Sequence, residues 1–125
     1  MSARFRQSQR LRTRAEFDRV FRGGVRLEGA LFALLAAPNG SDVDRLGLVV
    51  SRRVGNAVVR NRARRLLRDS FRRLQRGAPG LDIVILVKAA LPARRQAAVD
   101  HELHERLAEL LRSPRSRRPR AHPAR

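Results

Sequence analysis

Apolar residues along this chain change period several times, and each change marks an element. Phe17, Val20 and Phe21 follow at helical steps behind Thr13-Arg14-Ala15-Glu16. That tetrad can form a capping box, in which the threonine hydroxyl and the glutamate carboxylate each accept from the other's backbone N–H. A short helix is predicted there, stopped by Gly23-Gly24 in a left-handed turn. Val25 to Leu27 reads as a short strand and Leu31 to Ala37 as a longer one, ending at the turn sequence Pro38-Asn39-Gly40-Ser41-Asp42. Arg45 to Ser51 is the next strand. Because the last two runs flank one turn cluster, they are predicted to pair as an antiparallel hairpin.

Helical spacing returns at Val59, Ala63, Leu66, Leu67, Ser70, Phe71 and Leu74, between Gly55-Asn56 and the breakers Gly77-Ala78-Pro79-Gly80. Ile83 to Val87 is continuously apolar and β-branched, which suits a central strand covered on both faces. Pro92 opens a last helix with the stripe Val99, Leu103, Leu107, Leu110 and Leu111, ended by Ser113-Pro114. The order α-β-β-β-α-β-α predicts a single α+β domain over residues 11–112, its helices packed on a four-stranded sheet. Residues 1–10 carry no apolar period and are expected to form a flexible basic arm. Residues 113–125 are too poor in apolar side chains to pack and are expected to be a disordered basic tail.

Charge then narrows the function. The chain has 125 residues, a formal net charge of +18 and a sequence pI near 12.0. Such a surface calls for a compensating polyanion, of which nucleic acid is the leading class. Cysteine is absent, which excludes disulfides and thiolate metal sites. No apolar run reaches membrane-spanning length and no secretory leader is evident, so the cytoplasm is the expected compartment.

The charge is concentrated opposite the apolar stripe of the second helix. At about 100° per residue, Arg60, Arg64 and Arg68 form one ridge, Asn61, Arg65 and Arg72 lie beside it, and Arg62 and Arg73 close the far edge. A merely solvated face mixes signs, yet the only acid between Arg52 and Arg76 is Asp69. Like charges at i,i+4 cost a few tenths of a kcal/mol per pair, so this face is predicted to bind phosphate. All aromatic residues are phenylalanine, and any base-stacking platform must use them. Patterning alone reads Phe17, Phe21 and Phe32 as core.

Catalytic chemistry is sparse. His101-Glu102-Leu103-His104-Glu105 places its histidines at i,i+3 and lacks the zinc-helix spacing. Asp42 and Asp44 follow Asn39-Gly40 in a turn, where aspartate is favoured anyway. With no phosphate loop, nucleophile elbow or acid–base cluster, the chain offers binding, and hydrolysis of a phosphodiester would fall to metal-activated water held elsewhere.

The run Gly55-Asn56-Ala57-Val58-Val59-Arg60-Asn61-Arg62-Ala63-Arg64-Arg65-Leu66-Leu67-Arg68 resembles the Arg-Asn-Arg signature of the bacterial ribonuclease P protein family. Arg10-Leu11-Arg12-Thr13, Glu16-Phe17, Val20-Phe21, Gly47-Leu48-Val49-Val50-Ser51 and Asp82-Ile83-Val84-Ile85-Leu86-Val87-Lys88 fit the same family. In it a small basic protein assists a catalytic RNA that removes the 5′ leader of precursor tRNA. The resemblance implies the same element order, with a left-handed crossover through the arginine helix where right-handed is the rule. It also implies that the chain alone is inactive, that magnesium is bound chiefly by the RNA, and that the partners are ribonuclease P RNA and precursor tRNA. No obligate protein partner or membrane is indicated.

Carried residue by residue, the RNA-binding set is Arg52, Arg53, Asn56, Arg60, Asn61, Arg62, Arg64, Arg65, Arg68 and Arg72, with Arg64 standing where lysine is common. The resemblance moves Phe17 and Phe21 from core to the wall of a cleft that holds the leader, and Phe32 and Lys88 are assigned to the same leader set. A frequent cleft tyrosine is replaced here by Leu34 or Leu35. A structural ribosomal protein or another basic RNA-binding protein is the alternative, and a generic DNA-binding module a third. All explain the charge, but only the first explains the signature together with its flanks.

Overall fold

The computed structural model describes residues 10–74, 80–88 and 96–112. The predicted arm up to residue 9, the breakers at 77–79, the helix start at Pro92 and the basic tail lie outside them. Helix α1 (Arg14–Gly23) leads into strands β1 (Val25–Glu28), β2 (Phe32–Pro38) and β3 (Arg45–Val50). A 3-10 turn (Arg52–Val54) then precedes α2 (Ala57–Leu74), β4 (Leu81–Val87) and α3 (Gln96–Arg112). The α+β order is the predicted one.

The four strands lie in the order β1-β2-β4-β3. β4 is antiparallel to β2 and parallel to β3. The predicted β2–β3 hairpin is therefore wrong: β4 inserts between the two strands, and the antiparallel hairpin is β1–β2. β3, α2 and β4 make the parallel crossover unit. β4 is buried along almost its whole length, as its unbroken apolar sequence requires of a central strand.

Both faces of the sheet are covered. Because side chains alternate along a strand, Phe32, Leu34 and Ala36 of β2 point one way and join Ile83 and Ile85 of β4, Leu67 and Phe71 of α2, and Leu103 and Leu107 of α3 in the larger core. Leu35 and Val84 point the other way and pack with Leu11 and Val20 beneath α1. In α3, Val99, Leu103, Leu107 and Leu110 are buried but Leu111 is exposed, so it does not belong to the predicted stripe.

Helix α1 begins with the predicted capping box: Glu16 N–H donates to Thr13 Oγ1 at 3.1 Å, and Thr13 N–H to Glu16 Oε1 at 3.0 Å. Its end departs from expectation. Gly24 has φ −89° and ψ 164°, an extended rather than a left-handed cap. Glycine is required there by proximity, since a Cβ would lie 2.5 Å from Val20 O and 2.9 Å from Ala36 O. Arg10, assigned to the flexible arm, instead forms a parallel bridge with Leu46 on the outer edge of β3, and Leu11 N–H donates to Leu46 O at 2.9 Å.

A buried ionic network seats α1 on the sheet. Asp82, 0% exposed, accepts from Arg45 Nε at 2.8 Å and Nη2 at 2.7 Å, from Asn39 Nδ2 at 3.0 Å, and from Arg19 of α1. Arg45 also donates to Glu16 Oε2 at 3.0 Å. Between α2 and α3, Asp100 accepts from Ser70 Oγ and from Arg73 Nη2 at 2.7 Å, and Gln96 Nε2 donates to Ser70 Oγ at 2.8 Å.

Candidate nucleic-acid interface

The arginine face is set by the way α2 starts. Gly55 has φ 157° and ψ −168°, and a Cβ there would lie 2.8 Å from Val59 Cβ, so this position needs glycine on two counts. Asn56 then caps the helix, its Oδ1 accepting from Val59 N–H at 3.0 Å and its carbonyl from Arg60 N–H at 2.9 Å. That bond commits the Asn56 side-chain oxygen to the fold.

From this start, Ala63, Leu67, Ser70 and Phe71 turn inward. Arg52, Arg53, Asn61, Arg62 and Arg65 are exposed, while Arg60, Arg64, Arg68 and Arg72 are half-buried, Arg60 with its Nε shielded from solvent. Arg72 is paired with Asp69 at 2.7 Å and Arg73 with Asp100 at 2.7 Å. The acid that holds Arg73 comes from α3, which a local reading of the helix could not see. Among the described residues, none of Arg52, Arg53, Arg60, Arg62, Arg64, Arg65 and Arg68 has a carboxylate within ion-pair distance. Burial, then the charges of Arg10 and Arg64, push the Arg68 guanidinium down from its ordinary value; an arginine stays protonated nonetheless. Arg10, absent from the predicted set, is thus a neighbour of this face.

The register of the sheet builds the second half of the site, because paired residues share a face. Under α1, three cross-strand rows can be read. Arg45, Asp82 and Ala37 form one, Gly47, Val84, Leu35 and Arg26 the next, and Val49, Leu86, Ala33 and Glu28 the third. Helix α1 lies over the first two. Its Glu16 and Arg19 hold the first row, Val20 sits on Leu35 and Val84, and the Phe17 ring lies so close to Gly47 that a Cβ there would meet it at 2.6 Å. At about 100° per residue, Phe17 and Phe21 occupy the flank of α1 away from Glu16 and Arg19, toward the third row.

This arrangement leaves an apolar strip beside α1, at the place of the expected cleft. Its wall is Phe17, partly buried, and Phe21, 40% exposed. Its floor is Ala33, Leu86 and Val49, of which the last two remain partly open. At the β3 end the chain runs directly into Arg52, Arg53 and the arginine face of α2. At the β1 end stand Arg26, Glu28 and Lys88, with Glu28 Oε2 accepting from Arg26 Nε at 2.5 Å and its other oxygen from Lys88 Nζ. Hydrogen bonds from Lys88 and Arg26 hold the Glu28 carboxyl below its usual range.

The structure brings together Phe17, Phe21 and Lys88 but not Phe32. That ring is 0% exposed and belongs to the α2–α3 core on the opposite face, because β2 alternation puts Phe32 in phase with Leu34. Of the two leucines that stand for the cleft tyrosine, only Leu35 faces α1, and it is buried.

Several acidic groups elsewhere are committed within the fold. Glu102 Oε2 accepts from Leu31 N–H at 2.8 Å and Phe32 N–H at 3.2 Å, which ties α3 to the β1–β2 turn. Asp44 Oδ1 accepts from Leu81 N–H at 2.7 Å, and His104 Nδ1 lies 2.9 Å from Asp100 O. Among the described residues no group of three or more His, Asp or Glu side chains has metal-holding geometry.

Comparison with known proteins places these features in context. A family model described as Ribonuclease P matches residues 5–111. The ribonuclease P protein component of Thermotoga petrophila is 35% identical over 113 residues, covering 90% of this chain and 97% of that protein. The Staphylococcus aureus RNase P protein superimposes with a TM-score of 0.70 at 27% identity, covering 81% of this chain and 94% of that one. The Thermotoga maritima RNase P protein does so with a TM-score of 0.68 at 31% identity, covering 80% and 96%.

Proposed function

The chain belongs to the ribonuclease P protein family, and from that membership we propose that it binds ribonuclease P RNA and the 5′ leader of precursor tRNA, promoting magnesium-dependent endonucleolytic removal of the leader. The observation that carries this reading is the continuity of two surfaces: arginines from Arg52 to Arg68 with no acidic partner among the described residues, running into an apolar cleft walled by Phe17 and Phe21. The arginines lower phosphate repulsion between catalytic RNA and substrate. The cleft takes an extended single strand, its bases against phenylalanine.

The chain alone is inactive in this reading. Among its described residues Glu16, Asp82 and Asp100 are spent on arginines and Glu102 and Asp44 on backbone N–H groups. Magnesium held by the RNA partner would supply the activated water for phosphodiester hydrolysis. Among the described residues no helix is long and apolar enough to cross a membrane, and the site of action is the cytoplasm.

Reconstitution tests the assignment. Added to a ribonuclease P RNA, the protein should raise cleavage of precursor tRNA strongly at low magnesium and much less at high magnesium, because cationic side chains substitute for screening ions. Cleavage by the purified chain without RNA, or no effect of protein at any magnesium concentration, would overturn it.

A further inference from the structure

At the β1 end of the cleft an acid occupies ground where a polyanion would have to lie. Glu28 closes β1, and its register with Ala33 directs its side chain to the α1 face. Both carboxylate oxygens are engaged, one by Arg26 and the other by Lys88. The two cations come from different strands. Lys88 follows β4, its position fixed by its N–H donating to Leu31 O at 3.3 Å, and Arg106 of α3 donates to the Glu28 carbonyl at 3.5 Å.

A stabilising role explains this cluster poorly. The Arg26, Glu28 and Lys88 side chains are 46%, 53% and 42% exposed, and ion pairs so open to water contribute little to folding. No buried group is satisfied by them, in contrast to Asp82 beneath α1. A carboxylate that takes an arginine on one oxygen and a lysine on the other does, however, present the charge and acceptor pattern of the two non-bridging oxygens of a phosphodiester.

We propose that Glu28 is a built-in stand-in for a leader phosphate: it holds Arg26 and Lys88 over the cleft in the free protein and is displaced when a backbone phosphate of the single-stranded leader takes both cations. The inference rests on the leader reading above. Glu28 thereby acts as a specificity-determining residue, since an RNA without a strand in the cleft leaves the cluster closed and gains nothing from these two cations. Its presence costs affinity, because displacement breaks two ion pairs and leaves a carboxylate near the incoming phosphate.

The test uses holoenzyme reconstituted from ribonuclease P RNA and the full chain, with equilibrium binding of precursor tRNA and of leaderless mature tRNA over a potassium chloride series. Glu28→Gln keeps the size of the side chain, removes its charge and replaces one acceptor oxygen by an amide nitrogen that can only donate, so the side chain can no longer hold both cations. It should tighten precursor binding about twofold to tenfold, the range expected for releasing two exposed ion pairs. Mature tRNA should be unaffected, and the salt dependence of precursor binding should steepen. The gain should vanish in the double variant Glu28→Gln with Lys88→Ala.

Precursor affinity that is unchanged or weakened by Glu28→Gln would overturn the stand-in. If Phe21→Ala still lowers the preference for precursor over mature tRNA, the leader reading survives that failure. A wild-type holoenzyme with no such preference, or one that Phe21→Ala leaves intact, would remove the leader reading and this inference with it. Early thermal unfolding of Glu28→Gln with equal weakening for both RNAs would mark Glu28 as structural and likewise overturn the proposal.

Discussion

Replacing Asp82 by alanine is expected to loosen α1 from the sheet and to destabilise the domain strongly. The carboxylate has no exposure and takes four hydrogen bonds, two from the Arg45 fork, one from Asn39 and one from Arg19. Removing one partner of a buried charge pair costs about 3 to 5 kcal/mol, because the other charge is left uncompensated. Two features pull the estimate to the lower end. Arg19 is 46% exposed and can turn to water, while Arg45, 27% exposed, keeps Glu16. A loss of about 3 kcal/mol is therefore expected, against a total stability of about 5 to 15 kcal/mol for a domain of this size. At about 4 to 8 °C per kcal/mol, the melting temperature should fall by roughly 12 to 24 °C. Urea titration followed by circular dichroism should show a lower midpoint with an unchanged slope. A loss under about 1 kcal/mol would refute the reasoning, since it would mean that Arg45 and Arg19 were effectively solvated beside Asp82.

The same group sets an acid limb. Burial alone would raise the Asp82 carboxyl, but hydrogen bonds from Arg45, Asn39 and Arg19 outweigh it and hold it below the ordinary value. A carboxyl lowered in the folded state contributes stability that is fully present above its unfolded value of about 4, and this is lost as pH falls through the folded value. Wild-type stability should drop below about pH 4, and the Asp82→Ala domain should drop less steeply there.

Four further outcomes can be measured directly. Arg64→Glu with Arg68→Glu should leave the melting temperature nearly unchanged while weakening RNA binding, flattening the salt dependence by about 0.7 to 0.9 log units for each phosphate no longer neutralised; unchanged affinity and slope would return this face to solvent. Phe32→Ala should cost about 3 to 5 kcal/mol of stability as a core truncation. Phe21→Ala should be mild in stability and cost about 1 to 3 kcal/mol in precursor binding per stacked base, sparing mature tRNA; equal weakening for both RNAs would sink the cleft. Gly55→Ala should destabilise by about 1 to 3 kcal/mol through strain at its backbone angles, and a urea midpoint matching wild type would contradict that.

Element types were legible in this chain because their periods differ, but pairing was not. Leu31 to Ala37 and Arg45 to Ser51 flank a single turn cluster, and loop economy alone joins them. The correction was already present in Ile83 to Val87: a strand apolar on both faces needs a neighbour on each side, and β2 and β3 are the ones available. Phe32 was misplaced for a related reason. β2 is apolar at every position from Phe32 to Ala37, so alternation has no polar side to indicate which residues face α1. Asp82 at the head of an apolar run gave no sign of its partners, because 29 basic residues make any one arginine uninformative. The arginine face of α2 was readable, since its periodicity is local and its lack of acids is visible in the chain.

The placement of acids accounts for what remains bare. Asp82 and Glu16 take Arg45 and Arg19 where α1 meets the sheet, and Asp100 takes Arg73 where α2 meets α3. These arginines lie at seams, and their pairs join one element to another. Asp69 with Arg72 is a local pair within α2. The arginines from Arg52 to Arg68 take part in none of these pairs and follow the face of α2 opposite its buried stripe, beside the end of the cleft. Charge reversal should therefore separate into two classes: Arg45→Glu, placed against buried Asp82, should unfold the domain. Reversal at Arg64 and Arg68 should relieve like-charge crowding in the free protein and be felt only when RNA is present. If both classes lost stability alike, the arginine face of α2 would be part of the folding apparatus, and the lack of acidic partners for Arg64 and Arg68 among the described residues would need another explanation.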